Sequence, residues 1–393
     1  MHWETMRMKN LDENTNQPTY SGLLIGVIAI GVEALIISPI LEDISQTFHV
    51  TPGVAGWSVS AYGLALAIFS PLFASISERF QREKIMFCGL FTFAIANILC
   101  LLSNSFEMLM ISRVLSGISA GAFLPNCYSY VADTTAYEDR GRVMGRVMAG
   151  WSISLIFGIP LGALTADIFG WRICFLMVTG ISLFAALKVA KLRNSRRYFD
   201  TQLPSGKFKL IFHRNNLLLL AINFIDMLSF YGIYTYLGEE TRTQLESGSS
   251  KFGVFVLCYG VGLFLSTTNG RIIDRLGKIA TIKTSLLSLF FLLSFILPAS
   301  IKIWFALAFT MLTWGWFQGF AQTSITTAIS ETTPNARGII MATLSCSTYL
   351  AVTISSIFGG LIYDFLGFRH LSIAGGVCAL TAFMTVYFLE NKK

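Results

Sequence analysis

Charge is what this chain has least of. Asp, Glu, Lys and Arg make up 13% of 393 residues, about half the share of a soluble domain, so a soluble globular protein is excluded. Histidine is scarce as well. His2, His49, His213 and His370 lie at the ends of apolar runs or between them, and no grouping has metal-ligand spacing, so no metal site is expected. Seven cysteines lie singly in apolar runs without a C-x-x-C pair, which predicts neither disulfide nor metal centre. There is no G-x-S-x-G elbow and no phosphate-cradling loop with lysine, so an enzyme is not expected, nor a cofactor. No basic stretch is interleaved with stacking aromatics, which argues against a nucleic-acid partner. The first twenty residues carry no cleavable signal. The first apolar run retains Glu33 and lacks a small-residue cleavage pattern, so it is expected to remain as a membrane helix.

What is present is hydrophobic length. The composition is 54% hydrophobic with a mean hydropathy of +0.63, and twelve apolar runs follow one another from Ser21–Ile40 to Leu371–Leu389. Each can cross a hydrocarbon layer of about 30 Å as a helix. The expected fold class is an all-α polytopic membrane protein with 12 transmembrane helices in two pseudo-symmetric six-helix bundles. The boundaries are a tail 1–20, a first bundle 21–190, a basic linker 191–214, a second bundle 215–389 and a tail 390–393. With both termini on one side, that side holds 23 of the 29 Lys and Arg residues. By the positive-inside rule both termini are expected in the cytoplasm and the helices in the cell membrane. A monomer embedded in lipid is expected.

The two halves repeat. Arg140–Arg172 is echoed by Arg337–Arg369 at an offset of 197, matching at Arg140/Arg337, Gly162/Gly359, Asp167/Asp364, Gly170/Gly367 and Arg172/Arg369. Each copy is a membrane-length run entered through Arg-Gly and left through an Asp-x-x-Gly-aromatic-Arg turn. Parallel repeats of this kind point to a transporter.

Several stretches then carry a resemblance. The opening GVEALIISPILEDISQTFHVTPGVAGW has an acid inside the first run, a proline near its end and an amphipathic loop over Leu41–Gly53. The loop after the second run contains Glu78 and Arg79. Its partner in the second half reads Gly270-Arg271-Ile-Ile-Asp274-Arg275-Leu-Gly277-Lys278. The fourth run carries Arg113, Gly117 and Gly121, and the fifth Gly150, Gly158, Pro160 and Gly162, with Ile159 inserted before the proline. Together these resemble the drug:proton antiporter branch of the major facilitator superfamily. The resemblance implies a conformational latch from Glu78, Arg79, Gly270, Asp274, Arg275 and Gly277, closing the cytoplasmic side against the starts of the fifth and eleventh runs near Val143 and Ile339. It also implies an antiporter motif at Gly150, Gly158, Pro160 and Gly162.

Ionisable groups buried in apolar runs are expensive and mark function by default. There are three: Glu33, Arg113 and Asp226. At 1.5 Å per residue Glu33 and Arg113 lie about 18 and 21 Å from the inner face, and Asp226 about 14 Å. A carboxylate whose solvation and cationic neighbours differ between two conformations changes its proton affinity between them, which couples the change to proton movement. Glu33 is thus the main candidate for proton coupling, with Arg113 its partner and Asp226 the reserve. A static buried ion pair is the competing reading. The seventh run holds Asn223, Asp226, Phe230 and Tyr234 on one face, and the tenth Trp314, Gln318 and Gln322. These polar and aromatic stripes are expected to line a substrate cavity, while Tyr236 and Trp316 could instead anchor the membrane interface. The function expected is proton-coupled efflux of small molecules such as drugs or metabolites. A symporter or uniporter for a small metabolite, and a non-transporting membrane sensor, are the alternatives.

Overall fold

The computed structural model describes residues 20–77, 80–135, 137–192, 212–246, 248–332 and 337–389. Glu78 and Arg79, the linker over 193–211 and the tails at 1–19 and 390–393 lie outside the described residues. Among the described residues ten helices are long and apolar enough to cross a membrane, eleven if one bent pair counts as a single span. That pair is α1 (Ser21–Leu35) and α2 (Ile37–Phe48), meeting at 47°. The others are α3 (Pro52–Ile76), α4 (Arg82–Leu101), α5 (Phe106–Thr134), α6 (Gly141–Phe169) and α7 (Arg172–Val189) in the first half. In the second half come α8 (Arg214–Leu245), α9 (Ser249–Thr268), a short α10 (Arg271–Leu276), α11 (Lys278–Ser300), α12 (Trp304–Thr332), α13 (Arg337–Leu366) and α14 (Phe368–Val386). Helix α12 has 29 residues, about 43 Å at 1.5 Å each, but its Gln, Thr and Trp content leaves it outside the apolar set.

The segment expected as an external loop, Leu41–Gly53, is helical as far as Phe48. Ile37, Ile40, Leu41 and Ile44 recur at helical spacing and are all buried, so the helix gains the core by continuing. Pro39 stands in its first turn, where the missing N–H has no intrahelical acceptor to lose. The helix stops at His49 in the left-handed region, φ 54°.

In α6 a π-helical turn covers Ser154–Gly158, with the Ile159 N–H donated five residues back to Ser154 O. The extra residue in front of Pro160 is taken up there. A second π turn, Leu292–Ile296 in α11, also ends two residues before a proline, Pro298. The proline ring crowds the carbonyl four residues back, and widening that turn relieves it.

Helix α3 packs along α13, and α9 along α6. A side chain at Gly63 would meet Val352 and Thr353 at 3.0 and 3.1 Å, and one at Gly260 would meet Ile156 at 2.9 Å. These contacts map onto each other by the same shift of 197 residues. At one end of the bundle the halves of the chain are joined by hydrogen bonds and ion pairs. At the other, Gly141, Gly145, Gly270 and Gly277 face open space. We call these the closed end and the open end; of the described basic residues, Arg82, Lys84, Arg142, Arg271 and Arg275 lie at the open end.

Candidate functional site

Helices α1 and α5 bring their two charged residues together. Arg113 Nη1 donates to Glu33 Oε1, both residues being 0% exposed. The rest of the guanidinium is held by α3: Nε donates to Ser58 O at 3.1 Å, and its carbon lies 4.8 Å from the centre of the Tyr62 ring. Among the described residues neither Glu33 nor Arg113 has a second ion-pair partner. A buried ion pair of this kind is costly to keep.

The second-half cluster uses α8 and α12, antiparallel to each other. Asp226 Oδ2 accepts from Gln318 Nε2 at 2.7 Å and from Gln322 Nε2 at 2.6 Å. Its Oδ1 is buried without a partner, and no cation bonds to it among the described residues. One turn further along, Phe230 stacks on Tyr234 at 5.4 Å and Tyr259 at 5.5 Å and meets the Trp314 ring edgewise at 5.6 Å. Asn223 donates to Thr348 on α13 at 3.0 Å. Trp314 Nε1 and Asn223 Oδ1 are also buried without partners.

All six residues expected to line a cavity are therefore brought together around Asp226 and Phe230. Tyr62, Tyr259 and Thr348 complete the clusters and were not singled out from the sequence. Their signal was weak, a lone Tyr or Thr in an apolar run. Tyr236 is no interface anchor. It is fully buried and its hydroxyl donates to Ser356 O.

The motif residues are distributed differently. Gly150 and Gly158 of α6 press against Val27 and Val32 of α1, and Gly162 against Ile36 at the bend after it, while Pro160 lies under Gly253 of α9. Gly277 takes φ +83° at the end of α10, a conformation that suits glycine. Gln81 has a φ of −64°, so the first-half turn needs no glycine at that position. Asp274 and Arg275 are exposed and make no side-chain ion pair among the described residues.

At the closed end the halves meet through backbone. The Ser38 hydroxyl donates to Tyr234 O, and the Tyr234 hydroxyl to Leu35 O at 3.3 Å. A Cβ on Gly238 would collide with the carbonyl of Ser38. Gly238→Val is therefore expected to wedge this end apart. Spin labels at Gln46 and Gln244, both exposed, should then move apart in double electron–electron resonance. An unchanged distance would mean that this contact does not govern closure.

The family model of the Major Facilitator Superfamily matches residues 23–302 and 219–393. The MFS-type transporter YwfA of Bacillus subtilis (strain 168) is 31% identical over 378 residues, covering 94% of this chain and 91% of its own. Multidrug resistance protein 1 of that organism is 26% identical over 360 residues, 88% of each chain. Its Multidrug resistance protein 2 is 24% identical over 390 residues, 95% of this chain and 94% of its own. Among the described residues no group of three or more His, Cys, Asp or Glu could hold a metal. With its many apolar helices and paired buried charges, the chain belongs to the Major Facilitator Superfamily, as a lipid-embedded transporter of small molecules and not an enzyme.

Proposed function

We propose that this transporter exports small molecules in exchange for protons, by alternating access. The observation that carries the reading is the Glu33–Arg113 pair, an acid and a base bonded to each other and both fully buried. An acid so placed can hold its proton in one conformation and give it up to solvent in another, where the arginine's field stabilises the carboxylate that remains. The relatives named as multidrug resistance proteins and the G-x-P-x-G stretch of α6 support export of drug-like or metabolite molecules. In this reading α12 is the tenth span and brings the total to twelve, the six-plus-six bundles follow the boundaries given above, and the chain is a monomer in the cell membrane. The closed end is the outside and the basic open end the cytoplasm, so the conformation described is inward-facing. Asp226, with two amides and no cation, is the second protonation site. The stripe of Asn223, Phe230, Tyr234, Trp314, Gln318 and Gln322 is the substrate surface. In the outward-facing state Glu78, Arg79 and the Gly270–Gly277 segment close the cytoplasmic side against the starts of α6 and α13, near Val143 and Ile339, with Asp274, which follows α9, docking near the start of α6.

Inverted membrane vesicles test this directly. A fluorescent organic cation should be concentrated only when an acid-inside gradient is imposed, and the gradient should dissipate faster in its presence. Accumulation that ignores a protonophore would remove proton exchange. Accumulation driven by the opposite gradient would make the chain a symporter.

A further inference from the structure

Alternating access needs a device that closes the outside as well as one that closes the cytoplasm, and the repeated turn supplies two unassigned carboxylates at the closed end. Asp167 ends α6 and reaches across to the second half. Its Oδ1 accepts the Ser249 N–H at 2.7 Å and its Oδ2 the Ser250 N–H at 2.8 Å. Asp364 ends α13 and reaches across to the first half. Its Oδ1 accepts the Gly53 N–H at 2.9 Å and its Oδ2 the Thr51 hydroxyl at 2.6 Å. Asp167 and Asp364 are 197 residues apart, and so are Gly53 and Ser250. One contact is thus built twice, each half holding the other.

We propose that Asp167 and Asp364 are the paired latch that closes the outer face of this transporter; the proposal rests on the alternating-access reading above. The bonded N–H groups are the first of α9 and α3, which have no acceptor inside their own helices. A carboxylate there also meets the positive end of the helix. Bonds of this kind, with an ionised acceptor, are about twice as strong as neutral ones. The fit is tight. A Cβ on Gly248 would run into Asp167, and one on Gly53 into Asp364 and Gly360 O.

The other residues of the turn stay at home. Gly170 and Gly367 have φ of +87° and +79°, which turns the chain back immediately after the helix. In the first copy the Arg172 guanidinium donates to Ser103 O at 2.9 Å and lies 4.4 Å from the Trp171 ring centre. Arginine and glycine therefore fix the turn within its own half, leaving the aspartate to cross. Arg242 reinforces the same closure, bidentate to Asp43 at 2.8 and 2.9 Å. Its neighbour Ser249 donates to Pro39 O at 2.8 Å, at the bend between α1 and α2. Opening the outside must break all of these together.

The test uses the full chain in proteoliposomes with its seven cysteines replaced. One spin-label pair is placed at Gln46 and Gln244 for the outer face, and another at Arg146 and Thr268 for the inner face, all four exposed. Asp167→Asn and Asp364→Asn keep the side-chain shape but remove the charge and present an amide N–H to a donor. Each is expected to raise the outward-to-inward ratio about tenfold, and the double variant roughly a hundredfold, since the two contacts share no partner. The outer pair should lengthen as the inner pair shortens. If both pairs merely broaden, the aspartates serve packing and the latch is overturned. If Gly238→Val moves the pairs reciprocally while the double Asn variant does not, the latch fails and alternating access stands. If no variant moves either pair, alternating access itself fails.

Discussion

Glu33→Gln is expected to bind substrate and exchange it downhill but to build no gradient. Each proton crossing a potential of 100 mV supplies about 2.3 kcal/mol, enough for roughly a fifty-fold substrate gradient. That whole factor should vanish. Glutamine keeps the length of the side chain and can still accept the Arg113 bond, so it removes the charge of the acid while keeping its packing. It carries no titratable proton, so it resembles the protonated acid permanently. A purely structural pair would give the opposite pattern, a less stable protein whose surviving molecules still couple. Substrate binding by fluorescence quenching, and uptake into inverted vesicles with and without an imposed pH gradient, separate the two. A Glu33→Gln protein that still concentrates substrate on a pH gradient would hand the coupling role to Asp226.

The reason for placing the effect at Glu33 is its surroundings. Asp226 shares one oxygen between two carboxamides, partners that carry no charge. Glu33 faces a guanidinium that is itself tethered to α3 through Ser58 O and the Tyr62 ring. Helix α3 also lies along α13 of the other half, with the Ser60 hydroxyl donating to Thr353 O at 2.9 Å. Any sliding of α3 against α13 therefore moves a group bonded to Arg113. This gives the pair a mechanical connection to the interface between the halves.

What the sequence made visible and what it hid divide along physical lines. A charge in an apolar run is conspicuous, and depth along a helix follows from counting residues, so Glu33 and Arg113 could be placed at one level. The stripe on α12 was visible for the same reason, since Trp314, Gln318 and Gln322 stand four apart. The contacts of the closed end were hidden. Asp167 and Asp364 stood out as repeat markers, but their partners lie 82 to 313 residues away in the chain and are backbone groups or small side chains. A bare N–H has no signature in composition or periodicity. The bend after Leu35 was hidden too, because Pro39 suggested an end where the apolar spacing of Ile37, Ile40 and Ile44 carries the helix on.

Arg113→Met should be the most destabilising of the substitutions considered. It removes the only charge bonded to Glu33 among the described residues, together with the Ser58 bond and the contact with Tyr62. Breaking a buried pair by deleting one partner costs about 3–5 kcal/mol, a drop in melting temperature of roughly 5–10 °C for a chain of this size. The acid can reduce that cost only by taking up a proton, which also ends coupling. Replacing both partners with apolar residues removes the orphaned charge, and such replacements are often neutral or stabilising. Glu33→Leu with Arg113→Met is therefore expected to recover most of the lost melting temperature and none of the gradient-driven transport. Thermal unfolding in detergent, followed by monodispersity, reads the first quantity, and vesicle uptake reads the second. Recovery of both together would reduce the pair to packing. Recovery of stability alone would show that these two charges are kept at the centre of the bundle for the proton they exchange, at a cost the fold would otherwise avoid.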